Sequence, residues 1–125
     1  MLQTALAFGS NTAFLVDNST SVIANVGGFY RIYGTATIPS ASTVARSVRF
    51  SMSDGATSKN VWLLEVEATG SSGIVSESYD FVTFLRPSDT ISAISDDTDS
   101  VLAGSIRQIA DSGGNLVNPV GFTPQ

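Results

Sequence analysis

Two glutamates have the spacing that could most directly support catalysis. Glu65 and Glu67 stand two positions apart in a run typical of a β-strand, so both side chains point to the same side of that strand. Paired carboxylates perform glycoside hydrolysis, and Glu77 is a further candidate for such a pair. Hydrolases place their carboxylates across a cleft, whereas here one strand would supply two of them. We therefore favour a solvated strand face, rank a hydrolase last, and do not expect an enzyme.

The densest acidic cluster is Asp96-Asp97-Thr98-Asp99, whose oxygen atoms belong to the ligand class that Ca²⁺ prefers. The spacing is not that of an EF-hand, because the glycine and the terminal glutamate are missing. A polar turn between two strands explains the same residues. The sequence therefore predicts no resident metal and no other cofactor, and this turn is the one place where calcium binding merits a test.

Four aromatic residues could line a platform for a sugar, because aromatic rings stack on the apolar faces of sugars. They are Tyr30, Tyr33, Trp62 and Tyr79. Trp62, however, alternates with Leu64 and Val66, and this period of two favours a place in the core of a sheet protein. A carbohydrate-binding role stays open as an alternative.

The chain has no cysteine and no histidine, and these two absences exclude several kinds of chemistry. Without cysteine there is no disulfide, thiolate nucleophile, zinc finger or iron–sulfur cluster. Without histidine there is no Ser-His-Asp triad, and the side chain that titrates nearest neutral pH is missing. Serine and threonine are abundant instead, at 19 and 12 of 125 residues, and both are common in turns and strands.

The net charge of −5, from 11 acidic and 6 basic residues, argues against nucleic acid as a partner. Binding to nucleic acid needs clustered cations that displace counterions from phosphates, and the six basic residues are scattered. No apolar run approaches the roughly 18 residues of a membrane span, so we expect no membrane partner. We take Met1 as the start of the chain, because the first residues lack the basic segment of a signal peptide.

The elements that must position these residues are strands, because β-type runs alternate with turn clusters along the whole chain. A length of 125 residues predicts one domain. We predict about eight strands, from a weak first run near residues 2–8, from runs near 13–16, 21–26, 29–38, 44–52, 61–69, 79–85, 91–94 and 101–110, and from a last short run that starts at 116–117. Eight strands in so short a chain predict an all-β protein, an antiparallel β-sandwich of the jelly-roll kind.

Two of the predicted strands carry large apolar side chains on both faces. Phe29 and Tyr33 lie opposite Tyr30 and Ile32 in one strand, and Phe81 and Leu85 lie opposite Val82 and Phe84 in the other. A lone sandwich buries only one face of each strand. The second face is therefore expected to lie against an arm, a neighbouring subunit or another protein. The alternative is that a twisted sheet buries both faces locally at its ends.

Both terminal segments, 1–12 and 118–125, are expected to act as arms that contact a partner. Their candidate contact residues are Leu2, Leu6, Phe8, Val120, Phe122 and Pro124. The last eight residues could reach roughly 26 Å when extended. Proline lowers the entropy that such an arm loses on docking, because it has fewer conformations to lose.

The sequence as a whole resembles the capsid decoration (cement) proteins of tailed bacteriophages and related β-proteins of the virion surface. The resemblance is carried by the serine- and threonine-rich β content, by the absence of cysteine and histidine, and by two runs. These are Phe29-Tyr30-Arg31-Ile32-Tyr33-Gly34 and Phe84-Leu85-Arg86-Pro87-Ser88-Asp89-Thr90-Ile91.

The resemblance implies a β-sandwich or β-tulip fold and a homotrimer at the three-fold or quasi-three-fold sites of a capsid. It also implies a structural protein on the outer capsid surface, which binds the major capsid protein and stabilises the shell by bridging neighbouring subunits. No catalytic residues are carried over from such a family. The alternative is a carbohydrate-binding β-sandwich, as in a phage fibre or a lectin-like module.

Overall fold

The computed structural model describes residues 11–40, 44–68 and 73–117, which form eight β-strands. Their bounds are β1 (Asn11–Asp17), β2 (Thr20–Ala24), β3 (Gly28–Ser40), β4 (Arg46–Ser53), β5 (Ser58–Val66), β6 (Gly73–Leu85), β7 (Thr90–Ser95) and β8 (Val101–Asp111). Across these three ranges, no helix is long and apolar enough to cross a bilayer.

The strands form two four-stranded antiparallel sheets. The first sheet has the order β1-β8-β3-β6, and the second has the order β2-β7-β4-β5. The pairs β4–β5, β3–β6, β2–β7 and β1–β8 follow one another outward from the middle of the chain, as in one long hairpin. Rolling that hairpin into two layers gives a jelly roll, which confirms the predicted fold class.

The strand bounds agree best with the prediction where large apolar residues alternate with polar ones. In β3, residues Tyr30, Ile32, Ala36 and Ile38 face the core and are buried, as the period of two requires. Strand β6 begins six residues before the predicted position. The prediction missed this start because residues 73–78 are mostly small or polar. They nevertheless pair with β3 through their backbone as far as Gly73.

The core between the sheets is centred on Phe50, which is fully buried. Four aromatic rings surround it, with centroid distances of 5.7 Å to Phe14, 5.9 Å to Trp62, 5.0 Å to Tyr79 and 5.5 Å to Phe81. Edge-to-face contacts of this kind add to the free energy that burial itself supplies. Aliphatic residues complete the core, among them Val16, Ile32, Ile38, Val48, Leu85, Ile91 and Leu102.

Two glycines in the first sheet leave room for a buried tyrosine. Gly34 on β3 and Gly104 on β8 are register partners. The Tyr79 ring reaches across them, and its hydroxyl donates a hydrogen bond of 2.8 Å to the carbonyl of Ala103. A Cβ atom at Gly104 would lie 2.2 Å from the Tyr33 carbonyl oxygen and 2.6 Å from the Tyr79 hydroxyl. Burial also raises the pKa of that hydroxyl well above its usual value.

Candidate functional surface

A polar network occupies the middle of the outer face of the first sheet. The guanidinium of Arg31 donates two hydrogen bonds to Asp80, of 3.0 and 2.7 Å, and lies 4.6 Å from the centroid of the Tyr33 ring. The Tyr33 hydroxyl donates to Oδ1 of Asn11 at 2.7 Å, and Arg107 donates to the same oxygen. The ion pair holds the pKa of Asp80 below its usual value. These side chains form hydrogen bonds with one another across all four strands of the sheet.

Apolar side chains lie at the two margins of the same face. Leu15 on β1 is 74% exposed, and Val82 on β6 is 61% exposed. Phe84 packs against Phe29 in a tilted arrangement with a centroid distance of 4.8 Å but keeps 40% of its surface exposed. The predicted two-faced strands are therefore present. The described residues cover Phe29 in part and leave Val82 and Phe84 open to contact.

A groove of about 350 Å³ opens at the side of the sandwich where β5 and β6 are the outermost strands. Val61 and Phe84 line its apolar part, and Lys59, Arg86 and Asp89 line its polar part. Arg86 donates a hydrogen bond of 2.9 Å to Asp89, so the charge of each is already balanced. The groove thus combines an apolar wall with a polar wall in which Arg86 and Asp89 are paired.

The predicted calcium turn is organised by its own contacts. Asp96 forms an ion pair with Arg49, and the carboxylate of Asp17 accepts a hydrogen bond of 2.9 Å from the backbone N–H of Asp99. Asp99 itself adopts a left-handed conformation, with φ of 64°. Among the residues that the structure describes, no three acidic side chains come together as ligands for a metal ion.

The three candidate catalytic glutamates do not line the groove. Glu65 lies on β5, Glu67 directly follows that strand, and Glu77 lies on β6. All three are exposed, and none is among the residues that form the cleft. This arrangement is that of solvated strand surfaces, as favoured from the sequence.

The four aromatic residues considered for a sugar platform are separated by the fold. Tyr30 and Tyr79 are buried in the core, and Trp62 packs against the same core with its ring centroid 5.2 Å from that of Tyr79. Tyr33 lies on the outer face under Arg31. These residues form no common exposed surface, so the platform considered from the sequence does not form.

The six predicted contact residues of the arms lie outside the described residues. They are Leu2, Leu6, Phe8, Val120, Phe122 and Pro124. Near the C-terminal end of the described residues, Leu116 forms an isolated β-bridge with Ala110 of β8. The partner-contacting role of segments 1–12 and 118–125 remains a prediction.

Sequence reasoning missed how the exposed apolar residues are distributed. Val61 and Leu63 alternate with inward-facing Trp62 and Leu64, so both faces of β5 are apolar, and Leu15 stands beside buried Val16 in β1. The signal was present in the sequence as uninterrupted apolar runs. What could not be read was that these strands lie at the outer margins of the sheets, since that depends on the topology.

An eight-stranded jelly roll is an architecture of viral coat proteins among others. Two solved structures of a pentameric capsid protein isolated from metagenomic phage sequences match the chain with 31% identity and a TM-score of 0.77. The match covers 94% of this chain and 73% of the capsid protein. The chain belongs to the same family as that phage capsid protein, and its role is that of a structural virion component.

A more distant likeness shows only the fold. The Eiger TNF of S. frugiperda matches with a TM-score of 0.50 and 10% identity, over 79% of this chain and 86% of that one. No protein-family model and no curated protein sequence matches the chain.

Proposed function

We propose that this chain is a coat component of a phage capsid that assembles with copies of itself and contacts the major capsid protein at the outer surface of the shell. The observation that carries the proposal is the family relation to a pentameric phage capsid protein. The open apolar side chains Val82 and Phe84, which lie together on β6 beside Phe29, support it, because contiguous exposed apolar patches mark surfaces that bind other proteins.

The oligomer that we propose is a pentamer. The sequence predicted a homotrimer by resemblance to decoration proteins, but the related capsid protein is pentameric. A fold shared over 94% of the chain favours the same assembly. Bridging of neighbouring capsid subunits remains part of the proposal, since a ring on the shell surface would touch more than one of them.

The mass of the purified full chain under native conditions tests the self-association. One copy has a mass of 13.0 kDa, so five copies give about 65 kDa and three copies about 39 kDa. We expect the larger value by native mass spectrometry or light scattering at micromolar concentration. A single copy at every concentration would contradict the proposal, and three copies would restore the trimer.

Antibody labelling of intact phage particles tests the location. We expect label on the outside of full heads, and we expect particles stripped of the protein to lose resistance to heat or osmotic shock. Heads that carry no accessible copies, or stripped heads of unchanged resistance, would contradict placement on the outer surface.

A further inference from the structure

Exposed large apolar residues are concentrated on the outermost strands of the two sheets. Within the described ranges nine such residues occur, and seven of them lie on β1, β2, β5 or β6. The seven are Leu15, Val22, Val61, Leu63, Ile74, Val82 and Phe84. The other two, Val26 and Val44, lie in connections between strands. The inner strands of both sheets carry none.

These seven residues form two separate margins of the sandwich. The β1–β2 margin contains Leu15 on β1, an outermost strand of the first sheet, and Val22 on β2, an outermost strand of the second sheet. The β5–β6 margin contains the five others, on β6 and β5, which are the opposite outermost strands of the first and second sheets. Val61 of β5 and Phe84 of β6 line the same groove, so the second margin is continuous from one sheet to the other.

In the first sheet, part of each outermost strand lacks the features that usually keep such a strand from pairing with another protein. Residues 12–16 of β1 and residues 81–85 of β6 contain no charge and no proline. In the part of the chain that the structure describes, β1 pairs only with β8, and β6 pairs only with β3. Long, uncharged outermost strands are normally covered in a native assembly.

We infer that the β5–β6 margin of one copy packs against the β1–β2 margin of the next copy, and that this single heterologous contact builds the ring. The inference rests on the proposed self-assembly. A closed ring of five copies needs two different patches on each copy, because an isologous contact joins only two. The molecule presents two different apolar margins, and the related capsid protein forms a pentamer.

The shorter margin sets the size of the contact. Seven residues of β1 span about 23 Å at about 3.3 Å per residue. With two sheets about 10 Å apart and their outer side chains, the margin is roughly 20 Å wide. The contact then buries roughly 900 Å² in total, which is below the area of about 1,200 Å² at which stable interfaces begin and is typical of a weak interface. Each copy makes two such contacts in a closed ring, so assembly is expected to depend on protein concentration.

Two single substitutions test the inference, Leu15→Asp on one margin and Val82→Asp on the other. Each places a charge in the apolar contact, and both positions are too exposed for the change to disturb the core. We expect each variant alone to lose the wild-type oligomer and to run as one copy. The matched control is Val44→Asp, which alters a side chain of 53% exposure outside both margins and is expected to keep the oligomer.

Mixing the two variants tests the heterologous pairing directly. Leu15→Asp leaves the β5–β6 margin intact, and Val82→Asp leaves the β1–β2 margin intact. A concentrated equimolar mixture is therefore expected to form a species of two copies and nothing larger, as measured by sedimentation velocity. A mixture that stays at one copy, or one that regains the full oligomer, would overturn the inference.

The outcomes also separate this inference from the proposed function. If the wild-type chain is a single copy at all concentrations, the proposed self-assembly fails and the inference fails with it. If the wild type is an oligomer that survives both substitutions, the proposed function stands and only the assignment of the margins is overturned. That second result would follow if the terminal segments or another face of the sheets made the contact.

Discussion

At the scale of single residues, Gly104 has a role that no other residue could fill. It lies directly beside Gly34 in the first sheet and leaves space under the Tyr79 ring. The space lets the Tyr79 hydroxyl reach the Ala103 carbonyl, so a buried donor is satisfied inside an aromatic core. The sequence shows two glycines within predicted strands, but it does not show that they face each other.

We predict that Gly104→Ala lowers the free energy of unfolding by about 1–3 kcal/mol. The added methyl group would meet the Tyr33 carbonyl and the Tyr79 hydroxyl at distances far below contact. Chemical denaturation of the purified variant measures the change. Gly113→Ala is the matched control, because its Cβ atom would lie 3.4 Å from its nearest neighbours. Equal stability of the two variants would contradict this account.

At the scale of elements, two tight turns are held by aspartate side chains. Oδ1 of Asp54 accepts hydrogen bonds from the backbone N–H groups of Thr57 and Ala56, at 2.7 and 2.9 Å. Oδ1 of Asp111 accepts corresponding bonds from Asn115 and Gly113, at 3.0 and 2.9 Å. In both turns these backbone donors lower the pKa of the carboxyl, with Thr57 and Asn115 as the largest contributors.

We predict that acid weakens the fold through these turns. A carboxyl whose pKa is lower in the folded chain stabilises it above the unfolded value of about 3.9, and loses that effect as the pH falls through the folded value. The thermal midpoint is therefore expected to decrease below about pH 4. The double variant Asp54→Asn, Asp111→Asn should be less stable at pH 7 and should lose less between pH 5 and 2. An identical acid profile would disprove the role of the turns.

The elements also show what the sequence could reveal. Strands such as β3, with Ile32 and Ile38 alternating with polar residues, were predicted because burial of one face leaves a period of two. The start of β6 was missed, because its polar residues are held by backbone pairing to β3, which leaves no pattern in side-chain type. In the turn at Asp54 and Gly55, the glycine has a positive φ of 93°, which is the conformation that an Asp-Gly pair supplies in a tight turn.

The contact surface was harder to predict than the fold. Phe81, Val82 and Phe84 indicated a strand with two apolar faces, but the pattern is the same for a central strand covered on both sides and for an outermost strand with one open face. Only the sheet order decides between these cases. Similarly, Trp62 and Tyr79 suggested either a core or a sugar platform, and their placement around Phe50 assigns them to the core.

At the scale of the whole molecule, charge opposes the assembly that the apolar margins favour. Each copy carries a net charge of −5, so copies in a ring repel one another at low ionic strength. The proposed contact is apolar, and the described ion pairs, such as Arg31–Asp80, lie within one copy. Salt should therefore weaken the repulsion between copies and leave the attraction unchanged.

We predict that raising the salt concentration from 0.05 to 0.5 M strengthens self-association. The screening length is about 10 Å at 0.1 M salt and shortens as salt rises, so repulsion between neighbouring copies decreases. The concentration at which half of the chain is assembled should fall, as measured by sedimentation velocity. Dissociation of the oligomer by salt would show instead that charge pairs hold the copies together.

The rolled-hairpin topology has a consequence for how this chain is made in the cell. Of the eight described strands, β1 is synthesised first and its pairing partner β8 last, and β8 also separates β1 from β3. Contacts between segments so far apart in the chain form slowly, and apolar strands are open to wrong partners until they do. The first sheet therefore cannot close during translation of the first hundred residues, and chaperones that hold nascent chains have their longest opportunity to act on β1.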